Sequence, residues 1–416
     1  FSGDLSWVIG DHGLKFGYSY LKSKYTENEH RTGGQVWYIK WEDQANHIYR
    51  AGQRVYIDNS EANADFQAIY APDTWPVNKG LNVFFGFRME QQNQKGADGN
   101  SFMKFTFGQY IQPRLGFTWD VLGNGASKVS GSYAIYYEQI PQRMAIRTFG
   151  HETYVQYNYG SNGTSTASYD PITHQVTVTG TPDRADYSTG WSHDPIEDNN
   201  KLPKRMEIQL GYDQQVSQST SLGMHLHYRK LTNPIEDGEI TDYEGYALDP
   251  NDPGSRAKGA DDPDNGCGTG CGQAILWNPR SHGVTWTSPF SGQKVRVDGT
   301  LYPEAYNEYK AVDFSYTYKT ASDMLFVGYT LSRTYGTYEG VISPTNGQAD
   351  GNITASFDFW PYVGTGRLAT DHPHQIKVYG YHRFEMGKNA LTVGFNFLGQ
   401  SGSPYSLQDD GSSSTP

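Results

Sequence analysis

The chain has 416 residues, enough for several soluble domains or one large barrel. Hydrophobic residues make up 36% and mean hydropathy is −0.69; no run approaches the roughly 18–20 apolar residues of a spanning helix, which excludes a helical membrane protein. The net charge of −12 argues against a nonspecific nucleic-acid binder, whose surface must be basic. A barrel remains open, because only alternate residues of its strands meet lipid and its loops are polar. Aromatic residues at 14%, with 32 Tyr and 9 Trp, suit two aromatic belts, and 47 Gly suit turns and crowded sheet faces.

Phe1 to Ile9 already reads as strand, with no basic region or apolar leader core ahead of it. The end, SLQDDGSSSTP, reads as loop rather than as a terminal aromatic strand. We therefore expect the chain to be part of a longer one. Asp4–Ile9 and Leu14–Tyr25 form a first pair around Asp11-His12-Gly13, a tight hairpin signal. A polar excursion, 26–44, follows. The second pair is 45–71 with 81–91, and its turn is expected over Pro72 to Gly80, where Pro and Gly act as punctuation. The returning strand sets Leu81, Val83, Phe85, Phe87 and Met89 against Asn82, Gly86, Arg88 and Glu90.

The third pair is 109–121 with 128–138; Leu115, Phe117 and Trp119 oppose Arg114, Gly116, Thr118 and Asp120. A long polar segment, 140–203, includes an alternating piece from His174 to Thr179 that suits a hairpin of its own. The fourth pair, 205–216 with 221–230, sets Ile208, Leu210, Leu222 and Leu226 against Glu207, Gln209, His225 and His227. Beyond a second long segment, 231–302, lies the clearest hairpin, Tyr306 to Tyr338. Val312, Phe314, Tyr316 and Tyr318 share a face, as do Leu325, Val327, Tyr329 and Leu331, with Tyr306, Tyr309, Tyr335 and Tyr338 near the ends. Each arm is about ten residues, close to the roughly 9–11 that cross a bilayer at a tilt. A sixth pair, 374–384 with 390–398, closes the series.

About twelve strands result. Short turns alternate with long excursions, the asymmetry of outer-membrane barrels, whose periplasmic turns are short and extracellular loops long. The expected fold is all-β: an antiparallel transmembrane β-barrel in the bacterial outer membrane, with apolar residues toward lipid and residues 1–416 forming one partial barrel domain. A soluble sandwich shares the alternation of any one hairpin but has no reason to keep the asymmetry over six.

Several strings, in order, resemble the barrel of TonB-dependent outer-membrane transporters, particularly the Oar-like branch. They are HGLKFGYSY (12–20), QAIYAPDTWPVNKGLNVFFGFRME (67–90), QPRLGFTWDVLGNGASKVSGSYAIYYEQIP (112–141), FVGYTLSRTYGTYEG (326–340) and DHPHQIKVYGYHRF (371–384). The resemblance implies a 22-stranded barrel around an N-terminal plug, and energy delivered by the TonB complex through a box ahead of the plug. The plug, the box and the remaining strands are absent from this sequence. Expected partners are TonB through that missing region, outer-membrane lipid and a cargo of peptide or protein, glycan or metal chelate; nucleic acid is not among them. A surface adhesion or scaffold protein on the same barrel, and a secreted carbohydrate-binding β protein, are the alternatives.

The polar strand faces carry Arg88, Arg114, Glu138, Glu207, His225, His227, Arg229, Asp313 and Lys377, which suit a lumen wall that grips a plug or guides cargo, or simple hydration of a barrel interior. Cys267 and Cys271, in a glycine-rich loop at an oxidising surface, are expected to form a disulfide. Asp249, Asp252, Asp261, Asp262 and Asp264 offer oxygens to Ca2+, without the spacing of an EF-hand; no other cofactor is indicated. Trp37, Trp41, Trp191, Trp277, Trp286 and Trp360 fall in the long loops, where they contact a ligand or pack the loops themselves. Nucleophile elbow, P-loop and His-Glu-x-x-His signatures are all missing, so no enzyme is expected.

Overall fold

The computed structural model describes the chain apart from residues 44–47, 97–98, 143–150, 161–162, 192–195, 241–272, 281, 288–293, 300–303, 341–364 and 406–416. Twelve long antiparallel strands carry the architecture. They are β1 (Ser2–Ile9), β2 (His12–His30), β3 (Ile48–Asn78), β4 (Leu81–Gly96), β5 (Ile111–Asp120), β6 (Ser127–Tyr137), β7 (Lys204–Gln215), β8 (Thr220–Thr232), β9 (Tyr306–Lys319), β10 (Asp323–Gly336), β11 (His374–Met386) and β12 (Asn389–Gln400). Each pairs with the next in chain order, and shorter strands extend the same sheet on the loop side. Among the described residues, β1 and β12 each pair on one side only, with β2 and β11.

The alternation of the sequence becomes two faces, because directly opposed residues in an antiparallel ladder share a side. One row runs Phe85, Leu115, Tyr133, Ile208, Tyr228. Another runs Met224, Phe314, Tyr329, Ile376. Leu210 is 49% exposed, Phe314 48% and Phe395 57%. So much exposed apolar surface in a continuous band is the lipid-facing side of an outer-membrane β-barrel. The register carries that band from Leu5 and Trp7, opposite Phe16 and Leu14, to Phe395 and Phe397 on β12. No helix among the described residues is long and apolar enough to cross a membrane.

The short-turn end is tighter than the sequence suggests. Gly10 and Gly387, both at positive φ, help turn β1 into β2 and β11 into β12 within two residues. The second turn is corrected most. Pro72 and Pro76 are not punctuation; they lie inside β3, which continues to Asn78. Proline removes one ladder donor, and the β2–β3 ladder is interrupted there, between Leu14–Asp73 and Gly17–Tyr70. The turn itself is Lys79-Gly80, held by Asn78 Oδ1 accepting from the N–H groups of Gly80 and Leu81.

On the loop side the strands outrun expectation. The excursion 26–44 contains the end of β2 and a short strand, Val36–Asp43, paired with β3. The alternation at His174–Thr179 is one arm of a hairpin, Ser165–Asp170 with Gln175–Gly180. Tyr338 is no girdle residue: it is 1% exposed, packed with Leu231 and Ala305. Tyr309 points to the polar face, one position out of phase with Tyr306 and Lys310.

The inner face and the loops above it

Nine polar residues singled out from sequence now have positions. Arg88, Arg114, Glu207, His225, His227, Arg229, Asp313 and Lys377 lie on the face opposite the apolar band, by register. Glu138 follows the last residue of β6, where its carboxylate meets Arg205 Nη2 at 2.6 Å. These groups are brought together in pairs rather than in one constellation. His225 Nε2 lies 3.0 Å from Asp213 Oδ1, and Lys128 Nζ lies 2.9 Å from the other oxygen of that carboxylate. His227 Nε2 is 2.8 Å from Asp313 Oδ2, and Thr330 Oγ1 donates to Asp313 Oδ1 at 2.5 Å. Arg229 stands opposite Glu207 at 3.3 Å, and Arg88 Nε meets Glu90 at 2.6 Å.

Strand geometry explains the pairing. Residues 225 and 227 are two apart, hence on one side, and their rings stack with centroids 6.5 Å apart. Each reaches a carboxylate on a different neighbour, β7 for His225 and β9 for His227. Gly223 makes room: a Cβ there would stand 2.9 Å from Asp213 Oδ1. Three inner-face arginines rest over tyrosine rings from adjacent strands, Arg88 over Tyr70, Arg114 over Tyr136 and Arg229 over Tyr309, at 6.0, 4.9 and 5.6 Å. Such stacking holds a guanidinium in place without neutralising it. A groove of about 420 Å3 crosses this face between Thr74, Asn82, Thr118, Ser132, Gln209 and His225. Among the described residues no group of three or more His, Cys, Asp or Glu is arranged to hold a metal.

Above the strands the loops make a core of their own. Met103, Phe105, Tyr110, Ile140, Leu202, Ile235 and Leu276 are buried together. Gln92 and Gln94 anchor the segment after β6: their side-chain amides donate to the carbonyls of Glu138 and Ile140, and Ile140 N–H donates to Gln92 Oε1. Glu197, its side chain 1% exposed, is met by both terminal guanidinium nitrogens of Arg280, Nη1 and Nη2. Asn278 Nδ2 donates to the carbonyls of Lys201, Asn233 and Pro234. Burial raises the pKa of the Glu339 carboxyl, in the segment after β10, above its ordinary value.

Of the two roles open to the loop tryptophans, Trp277 takes the packing one. It is 0% exposed and belongs to the loop interior, so it cannot meet a ligand at the surface. Trp37 lies in the short strand Val36–Asp43, its ring 6.1 Å from that of Tyr159. Trp41, Trp191 and Trp286 also lie in short strands. Trp360, Cys267, Cys271, Asp249, Asp252, Asp261, Asp262 and Asp264 lie outside the described residues. Sequence reasoning missed Asp213, Lys128, Glu90 and Arg205 as partners. Position on the polar face was a visible signal; which neighbour each would reach depends on strand register.

No family model matches the chain. The TonB-dependent transporter Oar of Myxococcus xanthus is 28% identical over 360 residues, covering 80% of this chain and 29% of Oar. The chain is thus similar to a TonB-dependent transporter. It spans about 29% of the length of the curated relative it matches. Among solved structures, the FrpB iron transporter of Neisseria meningitidis overlaps with a TM-score of 0.42 at 9% identity, covering 94% of this chain and 44% of FrpB. The alcaligin outer-membrane receptor FauA of Bordetella pertussis overlaps with a TM-score of 0.38 at 12% identity, covering 97% and 48%. In this Oar-like chain the paired charges line the polar side of the sheet, while the apolar band faces the lipid of the outer membrane.

Proposed function

We propose that the chain forms part of the barrel wall of a TonB-dependent outer-membrane transporter, with a plug and further strands supplied outside residues 1–416. Cargo meets the loops, passes along the polar face and is drawn inward by energy delivered through TonB. The observation that carries this reading is the match to the transporter Oar over 80% of the chain. Two features support it. Among the described residues the sheet has unpaired edges at β1 and β12, where further strands can add. Several charges of the polar face are held as local ion pairs, Asp213 with His225 and Lys128, Asp313 with His227 and Glu207 with Arg229, on a wall that suits water. The role is conduction, not catalysis. The cargo class is a peptide or protein, a glycan or a metal chelate, and nothing in the described loops selects one.

The test is uptake by cells with and without the gene, each with and without a protonophore that removes TonB energisation. Labelled peptides, oligosaccharides and ferric chelates are offered in turn. Accumulation of one class, lost on deletion and lost with the protonophore, is expected. Surface adhesion lost on deletion, with uptake of every class unchanged, would instead assign the barrel to adhesion.

A further inference from the structure

The lipid-facing side is not apolar up to its loop-side rim. On β8, β9 and β10 the apolar rows end at Leu226, Val312 and Leu331, which oppose one another. The next row toward the loops is Tyr228, Lys310 and Arg333; the one beyond is Lys230, Glu308 and Tyr335. All six share the outward side, because the register between these strands runs without a bulge. Lys310 and Arg333 are therefore directly opposed like charges, an arrangement that is destabilising without an anion between or over them.

The local counter-charge is insufficient. Glu308 Oε1 lies 2.6 Å from Lys310 Nζ, and Glu308 Oε2 accepts from Tyr228 Oη at 2.9 Å, so both oxygens are engaged. Among the described residues no carboxylate lies within ion-pair distance of Arg333 or Lys230. Arg333 rests over Tyr335 at 4.4 Å and Lys230 over Tyr306 at 5.1 Å, contacts that orient a cation without neutralising it. Arg367, opposite Tyr335, is spoken for by Asp371 at 2.6 Å. Lys204 adds a further positive charge one row higher, opposite Thr232. Lys310 is 62% exposed and Arg333 is exposed.

We propose that Lys230, Lys310 and Arg333 bind a phosphate-bearing lipid headgroup of the outer leaflet. The position selects the ligand: a headgroup phosphate is the anion found where the apolar band stops, and Arg and Lys bind it by charge-assisted hydrogen bonds. Tyr228, level with Lys310 and Arg333, and Tyr335, one row toward the loops, pack against the sugar or glycerol of the headgroup. The inference rests on the outer-membrane placement of the band and is independent of transport.

The experiment uses the full-length protein, extracted and delipidated, with native mass spectrometry as the readout. Three probes are offered: lipid A with both phosphates, the same lipid dephosphorylated, and inorganic phosphate. The phosphorylated lipid should bind, weaken as salt is raised, and lose roughly tenfold or more in affinity in K310Q/R333Q. K310R/R333K should retain it, and an unchanged heat-modifiable gel shift in each variant shows that the barrel is folded. Equal binding of the dephosphorylated lipid, binding indifferent to salt, or wild-type affinity in folded K310Q/R333Q would overturn the proposal. Inorganic phosphate competing as well at equal concentration would assign the site to free anion and overturn the lipid as its source.

Discussion

The ring of Tyr70 lies across Gly17, its direct partner on the neighbouring strand, and a Cβ at position 17 would overlap that ring. Arg88, opposite Tyr70 on the other side, completes the row. Glycine is thus required where β2 and β3 carry an aromatic across the polar face. Gly17→Val is expected to cost about 1–3 kcal/mol through overpacking. Tyr70→Ala in the same chain should recover much of that loss; a double-mutant cycle of folding into lipid vesicles measures it, and additive costs would remove the contact as the cause.

The two faces should respond unequally to charge. Val327, opposite Tyr316 and Val378, and Phe395 lie in the apolar band; Thr330 and Asn396 lie on the other side. Val327→Arg or Phe395→Arg should cost roughly 2–4 kcal/mol near mid-depth, and Arg at Thr330 or Asn396 far less. Vesicle refolding titrated with urea reads the difference. Matching penalties on both sides would mean the faces are assigned wrongly.

The ion pair of Glu197 and Arg280 sits in the loop core, not in the strands. With Arg280→Met, the 1% exposed Glu197 carboxylate loses its cation. Stranding a buried charge costs about 3–5 kcal/mol, and the loss should fall on loop packing. Protease cleavage within 197–280 should accelerate while the heat-modifiable shift of the strands is kept. Slower or unchanged cleavage would show that the pair does not hold the loops.

Glu339 provides a pH dependence. Burial raises its pKa in the folded loop above that of the unfolded segment. A carboxyl with a raised folded pKa favours the packed state while it is protonated, below its ordinary pKa. That contribution is lost as pH climbs through the raised value. Hydrogen exchange of residues 334–340 should therefore be slower at pH 4 than at neutral pH, after correction for intrinsic rates. Glu339→Gln should flatten the profile. A profile unchanged in the variant would place the titrating group elsewhere.

One charge breaks the apolar band and shows how strand register matters. Asp73 lies between Leu14 and Phe85 on the lipid-facing side, yet its side chain is only 4% exposed. His12 Nδ1 stands 2.7 Å from its carboxylate, and His12 stacks on Trp75 at 5.1 Å. In the sequence, APDTWP read as a turn, where an Asp needs no explanation. Only the continued strand, with its two prolines, exposes the problem and its solution.

Period-two alternation by itself determined the twelve strands, their two faces and the short-turn end, because a side chain's face in a strand follows from its parity alone. Leu210 and Phe314 could be assigned outward, and His225 and Asp313 inward, before any coordinates. Tertiary structure decided which carboxylate each histidine meets, that Lys310 faces Arg333, that Trp277 is interior and that Pro72 lies mid-strand. These depend on the offset between strands far apart in sequence and on how loops fold over one another, and neither is encoded in the spacing within a single strand.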